Sequence, residues 1–282
     1  MKTRREFLQT LSLVSGGILA SHSLGASARS GLKKEAGIQL WTLRDTIGTD
    51  LKGTLTALSK FGYTSIEAFG FDGSFFGRSA AEFRDFCAGL GISIHSSHTG
   101  ITASNAASYA ESAAIAGLEF LVLPSMMGRP ESTPDDFRRL AEEMNQIGKI
   151  CLEHGIRFGY HNHGFEFKPI DGQLPYDILL SSTDPKLVSF QPDIFWIKKG
   201  GQDPLTYFEK HPGRFSTWHI KDMGPDGESC IVGNGNIDFK NLLKHANTAG
   251  LERIFVEQEA YSEGSPIFCA GQSLKYIQSH LL

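Results

Sequence analysis

The pattern of hydrophobic and polar positions alternates between short apolar runs and longer amphipathic ones. The short runs are rich in β-branched and aromatic residues and predict strands, whereas the longer ones repeat their apolar positions with a helical period. Eight strands are predicted, at 36–43, 65–69, 93–95, 120–123, 157–161, 187–193, 215–220 and 253–257. Eight helices are predicted between and after them, at 51–60, 79–89, 103–116, 134–154, 176–181, 204–210, 239–249 and 266–281. Regular alternation of this kind indicates a parallel sheet.

Start and stop signals mark the ends of several predicted helices. Thr133 and Asp203 each place a capping side chain directly before a proline, which is favoured at the first position of a helix. Glycines stand just before five predicted strands, where the end of a helix needs a positive φ. They are Gly62, Gly91, Gly117, Gly155 and Gly250. The boundary signals therefore support the same alternation of strands and helices.

The predicted fold is a (β/α)₈ TIM barrel, an α/β fold, in a single domain over residues 29–282. Eight strand–helix units in about 250 residues fit a closed barrel of this type. The alternative is an open doubly wound sheet, which usually carries a glycine-rich loop after its first strand. The segment from Gln39 to Asp45 contains no glycine, and this favours the barrel.

Residues 1–28 are predicted to form a twin-arginine signal peptide. Arg4 and Arg5 stand before an apolar run at 11–20, and Ala26 and Ala28 offer the small residues of a cleavage site. The apolar run is shorter than the ~20 residues that a membrane span needs. We therefore expect export to the periplasm and no membrane insertion of the mature form, with an uncleaved or lipid-anchored form as the alternative.

The net charge and the cysteine spacing argue against some classes of binding partner and of metal site. The full chain has 27 Lys+Arg and 31 Asp+Glu, a net charge of −4; without residues 1–28 the counts are 24 and 30, giving −6. A mildly acidic domain argues against nucleic acid and anionic membranes as partners. The cysteines show no short paired spacing, so neither a disulfide framework nor a cysteine zinc site is predicted. They are Cys87, Cys151, Cys230 and Cys269.

Four predicted strands in the second half of the chain end in side chains that bind metal ions. A parallel barrel gathers such groups at one mouth, because its active site lies at the C-terminal ends of its strands. Side chains alternate along a strand, so residues two positions apart share a face. The pairs that share a face are His161 and His163, Gln191 and Asp193, His219 and Lys221, and Glu257 and Glu259. The pattern predicts a metalloenzyme.

These strand ends and the sequence around them resemble the xylose isomerase-like TIM-barrel family, which includes sugar phosphate isomerases and epimerases and proteins like AP endonuclease family 2. The resemblance covers the whole mature chain and is most specific from Asp193 to Asp222. It implies one divalent ion at the barrel mouth. The family ligand positions fall on Asp193, His219 and Glu257. Many members carry a glutamate at the fifth strand that is both ligand and base, whereas this chain has histidines there.

The fourth ligand is expected from this fifth strand. Alternation and height along the strand favour His161 or His163; we assign His163 to the metal and His161 to substrate binding, and the reverse assignment stays open. Two imidazoles with an aspartate and a glutamate suit Mn²⁺, Zn²⁺, Co²⁺ or Fe²⁺ better than Mg²⁺. We expect Mn²⁺.

The resemblance implies proton abstraction next to a carbonyl, through a metal-bound enediolate. Glu259 or Glu166 is expected to act as the base. Lys221 is expected to stabilise the developing oxyanion, with a rim salt bridge to Asp222 as the alternative.

Further pocket contributors are expected on both halves of the chain. Glu67 and the pair His95 and His98 are the candidates in the first half. Trp196 is expected to stack on the C–H face of a sugar, with plain packing as the alternative. We expect Glu67, His98, His161 and Trp196 to bind substrate.

The expected substrate is an unphosphorylated keto-sugar or glycoside, since no glycine-rich phosphate cradle is present. The first hypothesis is a sugar isomerase or epimerase. The first alternative is a 3-keto-glycoside lyase or hydratase that works by β-elimination, because the absent fifth-strand glutamate weakens the second face that epimerisation needs. The second alternative is a sugar-binding protein without catalysis. DNA cleavage is disfavoured, since it needs three zinc ions and a basic surface.

Overall fold

The computed structural model of the protein describes residues 31–33, 35–126 and 133–282. Residues 1–28, the predicted signal peptide, lie outside the described residues, so export stays a prediction. Within the described ranges, we find no helix with the length and apolar character of a membrane span.

Among the described residues, eight parallel strands form one sheet that curls into a nearly closed barrel. They are β1 (Ala36–Gln39), β2 (Ser65–Phe71), β3 (Ser93–Thr99), β4 (Phe120–Leu123), β5 (Arg157–His161), β6 (Val188–Gln191), β7 (Thr217–Ile220) and β10 (Arg253–Val256). A separate antiparallel hairpin joins β8 (Asp222–Met223) to β9 (Ser229–Cys230). The helices are α1 (Arg44–Ile47), α2 (Leu51–Phe61), α3 (Ala80–Ala88), α4 (Ala106–Ala116), α5 (Pro134–Glu153), α6 (Pro175–Ser182), α7 (Ile194–Lys199), α8 (Pro204–Lys210), α9 (Phe239–Leu243), α10 (Ala246–Ala249) and α11 (Pro266–His280).

The sheet runs in the order β6-β5-β4-β3-β2-β1-β10-β7. The gap between β6 and β7 is bridged just beyond the end of β6, where Asp193 and His219 form a parallel bridge and the N–H of His219 donates to the carbonyl of Pro192 at 3.0 Å. This confirms the predicted TIM barrel. The bridge also sets two predicted metal ligands side by side.

The predicted capping signals shape the helices around the barrel. Thr133 and Asp136 form a capping box at the start of α5, with Pro134 in the first turn. Gly62 and Gly117 end α2 and α4 with φ values of 102° and 81°, a region that favours glycine. These helix ends are thus fixed by local sequence.

The barrel core is apolar along most of its length and polar at its C-terminal end. Register pairs Gln39 with Glu67 and Glu67 with Ser96, so these polar side chains lie level with one another on β1, β2 and β3. All three are fully buried. Burial of polar groups requires hydrogen-bond partners, and they find them across the mouth of the barrel.

Several predicted elements differ from the structure. The third strand, predicted at 93–95, extends to Thr99, and the sixth, predicted to reach residue 193, ends at Gln191. The first strand was predicted to reach residue 43, but β1 ends at Gln39 and Leu40–Leu43 form a 3₁₀ helix. The cause is local: the Gln39 side chain accepts the N–H of Trp41 at 3.0 Å and caps the turn. The predicted helix at 239–249 is divided into α9 and α10.

Candidate metal centre and active site

Four buried side chains converge at the C-terminal end of the barrel. One nitrogen or carboxylate oxygen from each lies within 4.8 Å of those of the others. The side chains are His161 at the end of β5, Asp193 two residues after β6, His219 within β7 and Glu257 directly after β10. Three of the ligands predicted from the sequence are therefore brought together, with His161 as the fourth member.

His163 lies outside this group. Its backbone N–H donates to the Glu166 carboxylate at 2.9 Å, and its ring lies 6.0 Å from the ring of Trp196. Strand β5 ends at His161, so the alternation that made the two histidines equivalent does not continue to His163. The geometry thus favours His161 as the fourth ligand and departs from the assignment of His163 made from the sequence.

The carboxylate of Glu67 lies beneath this group and is fully buried. One oxygen is 2.8 Å from Gln39 Nε2 and 2.6 Å from His219 Nε2. The other accepts hydrogen bonds from Ser96 Oγ at 2.5 Å and Gln191 Nε2 at 2.8 Å. Every oxygen of Glu67 is occupied by protein side chains, which does not suit the substrate-binding role expected from the sequence.

The imidazole of His219 is held between two carboxylates. Its Nδ1 lies 2.9 Å from Glu257 Oε2, and its Nε2 lies 2.6 Å from Glu67 Oε1. Burial lowers the pKa of His219, but the charges of Glu257 and Glu67 outweigh burial and raise that pKa to about 10. Burial likewise raises the pKa of Glu67, but the charges of His98 and His219 hold it well below its usual value. A protonated His219 ring donates to both carboxylates, whereas a neutral ring donates to only one of them.

His98 packs beside these rings. It lies parallel to the His219 ring with centroids 5.2 Å apart, and its Nε2 is 2.7 Å from Gln191 Oε1 and 3.2 Å from Glu67 Oε1. His98 is buried, with an exposure of 8%, and together with His161 and His219 it forms a second group of side chains that could hold a metal ion.

Lys221 lies inside the pocket and not at the rim. Its Nζ is 2.5 Å from Glu259 Oε1, 3.4 Å from Asp193 Oδ2 and 3.6 Å from Glu257 Oε2. Burial lowers the pKa of Lys221, but the three carboxylates raise it above its usual value. The ammonium also lies 5.0 Å from the ring centroid of Trp196. Lys221 is therefore a charged group that is fixed in place before any ligand arrives.

Asp222 serves the loop that follows the hairpin. Its carboxylate accepts the N–H groups of Met223, Gly233, Gly235 and Ile237 at 2.8 to 3.2 Å. A carboxylate that satisfies four backbone donors is a structural clamp, so the rim salt bridge with Lys221 is not formed.

The two candidate bases differ in access. Glu166 is fully buried, and its oxygens accept from Tyr160 Oη at 2.8 Å and from the N–H of His163 at 2.9 Å. The side chain of Glu259 is 33% exposed. Glu259 can therefore reach a substrate, whereas Glu166 fixes the loop after β5.

Most of the sequence matches a known protein family. Residues 55–280 match the model of the family described as xylose isomerase-like TIM barrel. The chain belongs to this family.

Similar proteins include enzymes of sugar chemistry. An inosose dehydratase of Clostridium tetani is 27% identical over 176 residues, which are 55% of this chain and 58% of that protein. The chain thus matches a little over half the length of this curated relative. Among solved structures, a sugar phosphate isomerase/epimerase from Parabacteroides distasonis is 28% identical, with a TM-score of 0.78 over 91% of this chain and 96% of that one. The 3-keto-D-glucoside 4-epimerase of E. coli shares the fold, with 13% identity and a TM-score of 0.68 over 88% and 100% of the two chains.

The residues present in this member of the xylose isomerase-like family fit a divalent ion. Nδ1 of His161 is buried and has no hydrogen-bond partner among the described residues. Burial and the charge of His219 hold the pKa of His161 well below its usual value, so its ring is neutral and offers a lone pair. Asp193 caps α7 by accepting the N–H of Trp196 at 3.1 Å with Oδ1. Imidazole nitrogens and carboxylate oxygens in such a cluster are ligands of Mn²⁺, Fe²⁺, Co²⁺ and Zn²⁺.

Polar atoms near the metal centre suit recognition of a ligand. Nδ1 of His163 and Nε1 of Trp196 are buried and have no hydrogen-bond partner within the described part of the chain. Burial lowers the pKa of His163 to about 4, so its ring is neutral. Trp41, which follows β1, is 42% exposed and packs edge-on against Phe69. An indole N–H, a neutral imidazole and an exposed indole are groups that bind sugar hydroxyls and C–H faces.

The sequence did not point to the residues that hold Glu67. Gln39 lies in a predicted strand that was recognised by its apolar positions, and Ser96 lies one residue beyond the predicted third strand. A bulge between Ile66 and Glu67 shifts the register so that Glu67 lies opposite Ser96, and the sequence does not show this shift.

Proposed function

We propose that the protein is a divalent-metal-dependent enzyme that removes a proton next to the carbonyl of an unphosphorylated keto-sugar or glycoside. The observation that carries this proposal is the convergence of His161, Asp193, His219 and Glu257 within 4.8 Å at the mouth of the barrel. Membership in the xylose isomerase-like family and the similarity to an inosose dehydratase support it.

The four converging residues would hold the ion, and we propose Mn²⁺ ahead of Zn²⁺, Co²⁺, Fe²⁺ or Mg²⁺. A divalent ion bound there would polarise a carbonyl oxygen and acidify the neighbouring C–H group. Two imidazoles in the ligand set favour a transition metal over Mg²⁺.

Glu259 is the proposed base. Its side chain is partly exposed at the pocket, and its Oε1 is anchored 2.5 Å from Lys221 Nζ. A carboxylate held in this way is already positioned to take the proton from carbon, so little conformational entropy is lost in the reaction. The Lys221 ammonium, which three carboxylates surround, donates hydrogen bonds to negative charge that develops on the substrate oxygen.

The access of the two glutamates favours elimination over epimerisation. Epimerisation needs a proton donor and an acceptor on opposite faces of a planar intermediate. In a syn elimination one carboxylate takes the proton from carbon and returns it to the leaving oxygen, so a group on one face is enough. Glu259 provides that face, whereas Glu166 is buried and engaged by Tyr160 and the backbone of His163. We therefore place a lyase acting on 3-keto-glycosides or related cyclic ketones ahead of the isomerase first expected from the sequence.

The charge of the site has to be counted with the ion. Four carboxylates, those of Glu67, Asp193, Glu257 and Glu259, lie around the Lys221 ammonium and the His219 ring. A divalent ion would offset most of this negative charge, so charge alone does not select the substrate. The proposal of an unphosphorylated sugar rests on the sequence, which has no glycine-rich phosphate cradle.

Deuterium exchange tests the proposed function. The Mn²⁺-loaded protein is incubated in D₂O with a panel of 3-keto-glycosides and cyclic polyol ketones, and products are followed by NMR. We expect deuterium at one carbon next to the carbonyl, together with an unsaturated product and released alcohol or water. Exchange without an unsaturated product would favour the isomerase. Metal-loaded protein that exchanges no proton on any substrate would contradict catalysis and favour a sugar-binding protein.

Glu259→Gln is the matched variant for this experiment. We expect it to bind the metal ion as the wild type does and to lose exchange by about 100-fold or more, which is the size of a general-base contribution. Retention of full exchange would remove Glu259 from the mechanism.

A further inference from the structure

Glu67 is more completely satisfied by protein than a substrate-binding carboxylate should be. It is fully buried and accepts hydrogen bonds from side chains on three other strands, Gln39 on β1, Ser96 on β3 and Gln191 on β6. These three donors are neutral, so they fix the position of the carboxylate without cancelling its charge. The strongest partner left for that charge is the ring of His219, at 2.6 Å.

The contact with Glu67 distinguishes the two nitrogens of His219. Nε2 faces Glu67, which is not among the four converging side chains, while Nδ1 faces Glu257, which is one of them. When one ring nitrogen carries the proton and donates it to a carboxylate, the other nitrogen has the lone pair that can bind a metal ion. The side of the ring that points at the cluster is therefore the Nδ1 side.

We propose that Glu67 is a positioning residue for the metal centre: it holds the proton of His219 on Nε2 and presents Nδ1 to the ion. This inference rests on the proposed function, because it concerns the metal site. It replaces the substrate contact expected for Glu67 and gives a reason for the polar layer formed by β1, β2, β3 and β6. The hydrogen bonds of that layer hold the Glu67 carboxylate in place, and the carboxylate in turn holds the orientation of the His219 ring.

The first test compares metal affinities by titration calorimetry with Mn²⁺. Glu67→Gln keeps the size of the side chain but removes its charge, and we expect affinity to fall by about 10- to 100-fold, as for other residues that orient a ligand histidine. Glu252→Gln is the matched control. Glu252 is also buried and pairs with Arg157 at 2.7 Å, but it stands directly before β10, at the opposite end of the barrel from the site. We expect the control to bind Mn²⁺ as the wild type does.

The second test needs no variant, so it stands even if Glu67→Gln fails to fold. In wild-type protein loaded with Zn²⁺ and labelled with ¹⁵N, long-range ¹H–¹⁵N correlation NMR reports which nitrogen of His219 carries the proton. We expect the proton on Nε2 and the metal on Nδ1. Metal on Nε2, or wild-type affinity in Glu67→Gln, would overturn the role of Glu67 while leaving the metal site intact. A wild type that binds no divalent ion would overturn the proposed function and this inference together.

Discussion

His161 and His163 are two residues apart and have different neighbours. The ring of His161 lies 4.5 Å from that of His219, inside the cluster of potential ligands. The ring of His163 lies beyond the end of β5, against Phe165 and Trp196. His161 thus belongs to the candidate metal centre, whereas His163 lies beside it.

Alanine variants separate these two roles. We expect His161→Ala to lose bound Mn²⁺, because it removes one of four ligands. We expect His163→Ala to keep the metal and to raise KM for the keto-sugar, since it removes a polar group from the pocket wall. Metal analysis and steady-state kinetics on both variants check this. Loss of metal in His163→Ala, with metal retained in His161→Ala, would restore the assignment first made from the sequence.

The strand ends offered Asp193, His219 and Glu257 among several polar side chains at the same height, and the resemblance to the family singled out these three as ligands. It did not separate His161 from His163, since alternation along a strand applies only as far as the strand extends. That limit is set where Asn162 leaves the strand and its side chain accepts the N–H of Asp193 at 3.1 Å. A contact between residues 31 positions apart is not visible in a local pattern.

The positive charge of Lys221 is expected to be needed for turnover. We expect Lys221→Met to lower kcat by about 100- to 1000-fold, as when a donor to a developing oxyanion is removed. Metal content should be unchanged. Lys199→Met is a matched control, because Lys199 also lies near the Trp196 ring, at 5.4 Å, but pairs with Glu228 at the surface. Equal kcat values for the two variants would contradict a role for Lys221 in turnover.

At the scale of elements, the β8–β9 hairpin supports the loop that carries the proposed base. Ser229 Oγ on β9 accepts the N–H groups of Glu259 and Ala260, both at 2.9 Å. Asp222 on β8 holds the loop that follows the hairpin. The sequence did not reveal this hairpin, because its strands have two residues each and no apolar alternation.

Ser229→Ala tests this support. The substitution leaves two backbone N–H groups without their acceptor, and a buried unsatisfied donor costs roughly 1–3 kcal/mol. We expect kcat to fall by about 10- to 100-fold as Glu259 loses its fixed position, since a misplacement of about 1 Å can cost a catalytic group about 100-fold. Metal affinity should not change, since Ser229 contacts no ligand. Ser279→Ala, at an exposed position of α11, is the control, and a wild-type kcat in Ser229→Ala would refute the support.

Helix α7 was also absent from the prediction, and it matters for the site. It spans six residues, Ile194–Lys199, too few to show a helical period. It begins directly after Asp193, whose Oδ1 accepts the N–H of Trp196. This capping hydrogen bond fixes the Asp193 carboxylate. The contact that begins the helix therefore also orients a candidate metal ligand.

At the scale of the whole molecule, the two ends of the barrel differ in chemistry. The C-terminal end holds the candidate metal centre, and the N-terminal end holds a cluster of ion pairs. There Arg253 contacts Glu119 at 2.6 Å and Glu35 at 2.7 Å, and Arg157 contacts Glu252. The barrel was predictable from strand–helix alternation, but this cluster was not, because its members come from segments far apart in the chain.

The ion cluster predicts a pH dependence of stability. Contacts with His95 and then Arg253 hold the pKa of Glu119 at about 2, against burial. Since the unfolded value is roughly 4.3, the charged form stabilises the fold above that pH, and this contribution is lost as pH falls toward 2. We expect Glu119→Gln to melt below the wild type at pH 7 and the difference in Tm to shrink between pH 5 and pH 2. Glu111→Gln, at an exposed site on α4, is the control and should melt close to the wild type at pH 7. A constant gap for Glu119→Gln would contradict the cluster's role.

The proposed chemistry requires one divalent ion that is held jointly by His161, Asp193, His219 and Glu257. Its most direct test is the number of divalent ions per chain, measured by inductively coupled plasma mass spectrometry after loading with Mn²⁺ and dialysis. We predict close to one ion per chain in the wild type and close to none in His219→Ala. A wild type that retains no ion, or a His219→Ala variant that retains a full one, would contradict the account.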